Sequence, residues 1–153
     1  AAARELGKSV AQLEELQRLL LILQGEIRCV RLTLPAVCEL LAKDAKAPFQ
    51  QFFWKVSEDL GKRTGQTAGE IWSRNLKKIQ KLLFLTKKEQ QDLEEFGQLL
   101  GRMDMHMQLS AIQFYQEKIL LSLAEAKAAA DSRQRLYRYL GALGGAALVL
   151  VIM

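Results

Sequence analysis

Histidine, cysteine and proline are all scarce here: His106, Cys29 and Cys38, and Pro35 and Pro48 are their only representatives in 153 residues. A single imidazole leaves no multi-histidine metal site and no histidine triad with a second base. Met103, Met105, His106 and Met107 suggest a soft-metal site only superficially; methionines at a helix start pack against neighbours, so no metal is expected. Two cysteines fit a reducing compartment, and in apolar helical surroundings on either side of Pro35 they read as small core residues, not a disulfide. Strand-like alternation is absent, which leaves no β pattern. Gly61-Lys62-Arg63-Thr64-Gly65 is not a phosphate loop: Val56 stands where the first glycine belongs and Arg63 where Ser or Thr is required. Glu94 and Glu95 are adjacent rather than facing, and read as solvated. These gaps exclude an enzyme, and no cofactor or small-molecule substrate is expected. A net charge of +5 is modest, and without a nucleic-acid motif it excludes a nucleic-acid binder.

Charge is also missing after Arg138. Tyr139 to Met153, fifteen residues, is uncharged and mostly apolar. As a helix it reaches ~22 Å, short of a hydrocarbon core of about 30 Å, but it spans if Tyr139 and Arg138 snorkel and the bilayer thins. The alternative is a buried C-terminal core helix; a core helix is rarely apolar all round, which favours a membrane anchor. Gly141, Gly144 and Gly145 follow a small-xxx-small spacing that lets another transmembrane helix approach. No such partner helix is found elsewhere in the chain, which starts at Ala1 without an initiator Met, so the expected partner precedes Ala1. Arg133, Arg135 and Arg138 flank the tail, with Asp131 the one nearby acid, and by the positive-inside rule put that flank in the cytoplasm and Met153 across the membrane.

The remaining 138 residues are enough for one helical domain. Leu6, Leu13, Leu20, Ile27 and Leu34 recur every seven residues, with Leu16, Leu23, Val30 and Val37 interleaved, an a/d seam that Pro35 ends. Leu109, Ile112, Ile119, Leu123, Ala126 and Ala130 form a matching seam from Asp104 to Tyr139, interrupted by Gln116. The two arms, ~46 Å and ~52 Å long, predict an antiparallel hairpin with both far ends toward the membrane. Four shorter helices lie between: from Pro35 to about Lys46, from Pro48 to about Gly61, from the capping box Thr67-Ala-Gly-Glu70 to about Leu83, and from a second box, Thr86-Lys-Lys-Glu89, to Gly101. Gly101 reads as a C′ glycine, Asp104 as the next N-cap, and Gly97 as a mid-helix glycine required by close helix contact. Phe49, Phe52, Phe53 and Trp54 read as core, although three adjacent aromatics cannot all face one way. The expectation is an all-α six-helix bundle, residues 1–138, continuing into a C-terminal transmembrane segment, 139–153.

Several residues in this order carry a family resemblance: Leu23-Gln-Gly-Glu26-Ile27, then Leu34-Pro35; Phe52 with Trp72 and Leu76; Phe96-Gly97-Gln-Leu-Leu100-Gly101-Arg-Met-Asp104 with Gln108; and Leu140-Gly141-Ala-Leu-Gly144 into Val149-Leu-Val-Ile-Met153. Over its whole length the chain resembles the stage III sporulation protein AB family, itself similar to the all-α platform domains of type II secretion and type IV pilus machines. Cys29 departs from the aromatic residue expected there, and the family's N-terminal membrane helix is absent. The resemblance implies a membrane-anchored structural subunit of the channel between mother cell and forespore. Its main domain would lie in the mother-cell cytoplasm. Its implied partners are a secretion-type ATPase, stage III sporulation protein AA, and other membrane subunits of the channel. Lys77, Lys78, Lys81, Lys87 and Lys88 are the expected partner surface, placed at the membrane-distal end. The competing reading is a tail-anchored coiled-coil adaptor or scaffold without a motor partner.

Overall fold

The structure, a computed structural model, describes the backbone of residues 2–29, 33–101 and 105–152, and the side chains of these except at 2–4, 28–29, 105–107, 133, 137 and 142–152. Among the described residues there are six α-helices and no strand: α1 (Ala2–Cys29), α2 (Leu34–Asp44), α3 (Phe49–Gly61), α4 (Ala68–Ile79), α5 (Lys87–Leu100) and α6 (Met105–Ile152), with a 3-10 turn at Gln80–Leu82 after α4.

Local chemistry explains most of the boundaries. Both capping boxes form: the Thr67 hydroxyl accepts from Glu70 N and the Thr86 hydroxyl from Glu89 N, each 3.1 Å, while each glutamate accepts from its threonine's N–H. Thr33 caps α2 with Pro35 in its first turn. Leu34 and Val37, expected on the first helix, therefore belong to α2; Val30 lies outside the described residues. The helix expected to reach Leu83 stops at Ile79, and Leu83 is extended. An extended approach is what the Thr86 cap needs, because an N-cap leaves the helical conformation. Gly65, at φ +83°, makes the turn that closes the loop between α3 and α4.

Two contacts fix the direction of the long pair. Lys127 Nζ lies 3.7 Å from Glu14, and Gln116 Nε2 donates to Gln24 Oε1 at 3.4 Å. As the α1 number rises the α6 number falls, so the helices are antiparallel, as the two seams predict. Leu13, Leu16, Leu20, Leu23 and Ile27 face Ile112, Ile119 and Leu123 in the buried seam. The same register sets Ala2 level with about Tyr139. The 48 residues of α6 extend ~72 Å against ~42 Å for the 28 of α1, so α6 projects past the start of its partner.

The other helices fold back against this pair. Glu15 accepts from Arg18 Nε at 2.7 Å and from Lys46 N at 2.6 Å, while Arg18 also donates to the Asp44 carbonyl. That clamp holds the end of α2 beside the middle of α1. Burial opposes the Glu15 charge, but the Arg18 and Lys46 hydrogen bonds outweigh it and hold the carboxyl below its ordinary value.

Aromatic rings then link α3 to α6. Phe52 meets Trp72 edge-on at 4.9 Å, Trp72 meets Phe96 at 6.4 Å, and Phe96 meets Tyr115 at 4.6 Å. Trp72 is fully buried and donates to the Leu93 carbonyl at 3.1 Å. A Cβ on Gly97 would fall inside the Trp72 ring, so this mid-helix glycine exists for close contact, as expected. Gly101 differs from its expected role: its φ of −73° and ψ of −15° are right-handed, not those of a C′ residue. A Cβ there would lie 3.1 Å from the Ala68 Cβ, so helix approach, not chain reversal, selects glycine.

Candidate functional site

Among the described residues the polar groups that cluster do so across helix contacts. Among the described residues no three His, Cys, Asp or Glu side chains gather as a metal site; His106 and the neighbouring methionines lie outside the described side chains, as does Cys29. Cys38 is buried, and burial pushes its thiol up to about 12, leaving it an unreactive core residue. Glu94 accepts from Ser73, and Glu95 pairs with Lys118 at 3.3 Å, so neither is simply solvated. Asp59 is buried; hydrogen bonds from Asn75 and Arg74, both 3.0 Å, hold its carboxyl below the usual range despite burial. These groups tie helices together. Of the four neighbouring aromatics, Phe49, Phe52 and Phe53 are core, while Trp54 is 51% exposed on a shallow groove of about 360 Å³ with Lys43 and Gln51.

The tail end of the hairpin is a different kind of surface. Arg135 and Arg138 are exposed on α6; Arg133 lies outside the described side chains. Leu136, Tyr139 and Leu140 are also exposed, and a Cβ on Gly141 would meet nothing within 4 Å. Gly144 and Gly145 lie in the continuous helix, but their surroundings are outside the described residues, as is Asp104 altogether. Among the described residues no helix is long and apolar enough to cross a membrane.

The lysines occupy an unexpected place. Lys77 and Lys78 end α4, Lys81 lies in the 3-10 turn, and Lys87 and Lys88 begin α5; all five are exposed. The intervening loop is pinned to α1: Gln12 donates to the Leu82 carbonyl at 2.9 Å and accepts from Phe84 N at 2.7 Å. The Lys8 ammonium sits 4.8 Å from the centre of the Phe84 ring. Gln12 and Lys8 belong to the half of α1 that starts at Ala2. The lysine surface therefore lies on the tail side of the bundle, not at its distal end, because α4 brings the chain back beside the start of α1 before α5 carries it away again.

Sequence reasoning missed Leu82 and Phe84, which remain exposed while Leu83 and Leu85 are buried. Part of their signal was available: Leu83-Phe-Leu85 directly precedes a capping threonine, so it is extended and alternates its faces, while Leu82 is exposed at the end of the 3-10 turn.

Known proteins place this architecture. A solved structure titled stage III sporulation protein AB superposes with a TM-score of 0.71 at 28% identity, covering 81% of this chain and 97% of that one. Stage III sporulation protein AB of Bacillus subtilis (strain 168) is 30% identical over 142 residues, 93% of this chain and 82% of the relative. The sequence profile of the family described as stage III sporulation protein AB matches residues 1–153. The chain belongs to the stage III sporulation protein AB family.

Proposed function

We propose that this sporulation protein is a membrane-anchored structural subunit of the channel between mother cell and forespore, coupling a secretion-type ATPase to the channel's membrane parts. Residues 1–138 form the cytoplasmic domain and 139–153 the transmembrane segment, with Met153 across the membrane. The observation that carries this reading is the continuity of α6, a single helix from Met105 to Ile152 that leaves the packed bundle and enters the uncharged tail. A helix without a break transmits displacement or rotation, which a flexible tether would dissipate. The exposed Arg135 and Arg138 at the start of the apolar run support the orientation. Gly141, Gly144 and Gly145 offer a narrow face for another membrane helix. On this reading the ATPase, stage III sporulation protein AA, meets the cytoplasmic domain.

Inserting a flexible glycine-serine segment between Ala130 and Arg133 tests the coupling. Spore formation should be lost while the protein remains in the membrane fraction. Normal spore yield from that strain would sink the mechanical role.

A further inference from the structure

The α4–α5 connection combines two features that a purely soluble surface does not call for. From Lys77 to Lys88 the chain has five lysines and no acid. Lys87 and Lys88 occupy the first turn of α5, where the helix dipole already presents its positive end, so folding gains nothing from charge there. Among the described residues no carboxylate pairs with any of the five. Between them, Leu82 and Phe84 stand 48% and 37% exposed, held outward because Leu83 and Leu85 take the core. Apolar tips rimmed by lysines suit the boundary between headgroups and acyl chains.

The position agrees with the chemistry. Gln12, which pins this loop, is level with about Ala129 in the α1–α6 register, ~15 Å along α6 from Tyr139. The loop also sits beside α1 and opens α5, both packed on α6, so it lies roughly one to two interaxial distances, ~10–20 Å, to the side of the α6 axis. A headgroup layer of ~5–7 Å and a helix tilt in the upper half of the usual range of about 0–40° close most of that gap. Lysine reach and a Debye length of about 8–10 Å cover the remainder.

We propose that this loop is a second membrane contact: Leu82 and Phe84 enter the headgroup layer of an anionic bilayer, and the surrounding lysines bind lipid phosphates. The proposal rests on the membrane reading above for its geometry. Docking the shoulder on the membrane would fix the tilt of the α1–α6 hairpin.

The test uses the full chain carrying Phe84→Trp, reconstituted in phosphatidylcholine vesicles with or without roughly one-third phosphatidylglycerol, each doped with brominated lipid. The parent chain subtracts the signals of Trp54 and Trp72, and Leu82→Trp serves as a second probe. The added tryptophan should lose emission on the anionic vesicles and keep it on the neutral ones. Lys81→Glu, Lys87→Glu and Lys88→Glu should each weaken that quenching by at least about fivefold in partitioning, the loss of one lysine near the surface, since each also adds a negative charge. Quenching no greater on anionic than on neutral vesicles overturns the proposal. So does a charge reversal that weakens capture of the soluble ATPase while both probes stay unquenched, since the lysines then belong to a protein partner. Resistance of the chain to alkaline extraction reads tail insertion separately. Release of the chain with the loop still quenched would reject the anchor and retain the contact.

Discussion

The rings around Trp72 and the outer end of the α1–α6 hairpin are built from similar apolar residues with opposite consequences. Trp72 lies among α3, α5 and its own helix, fully buried, and even the glycine opposite it is required. Leu136 and Leu140, one helical turn apart on α6, are more than half exposed. Apolar character does not by itself make a core; neighbours on several sides do. The inner region stores the domain's stability, and the outer region leaves its apolar surface exposed.

The steepest way to break this contrast is Trp72→Ala. It should cost about 3–5 kcal/mol in urea unfolding, since a filled site shared by three helices has little room to collapse. Gly97→Ala follows, at about 1–3 kcal/mol, because the new methyl occupies the Trp72 ring position. A change in thermal stability no larger than that of a surface substitution would show that the ring moves aside freely. Asp59→Asn should cost about 1–3 kcal/mol at neutral pH through its partners Asn75 and Arg74. Asp59 and Glu15 both have folded-state pKa values depressed below the ordinary 3.8 and 4.5. Their stabilisation is present above those ordinary values and is lost as pH falls through the depressed ones. The domain should therefore weaken progressively on acidification below pH 4.5, and Asp59→Asn should flatten that acid transition in circular dichroism. Leu136→Ser, in contrast, should shift bundle stability by less than ~0.5 kcal/mol. A large loss there would mean that the outer hairpin belongs to the same cooperative unit as the core.

Much of this was legible in the sequence because it depends on neighbours along the chain. Thr67 with Glu70 and Thr86 with Glu89 start helices through hydrogen bonds that span three residues. The seven-residue spacing of Leu13, Leu20 and Ile27 identifies the buried face of α1 without reference to its partner. Gly97 was readable as a contact glycine, since nothing local favours glycine inside a helix. Gly101 and Leu34 were not: one resembles a terminator and the other continues a heptad, and only the packing of Ala68 and the cap at Thr33 separate the alternatives.

By itself, then, the sequence determined the helices, their caps, the two seams and the abrupt loss of charge after Arg138, all consequences of short-range geometry and composition. Tertiary structure alone decided how α2 to α5 pack on the α1–α6 pair and which end of the bundle the lysines face. That placement depends on Gln12 holding Leu82 and Phe84, groups about seventy positions apart in the chain. Their meeting is a consequence of how α2 to α5 fold back on α1, and no local pattern encodes it.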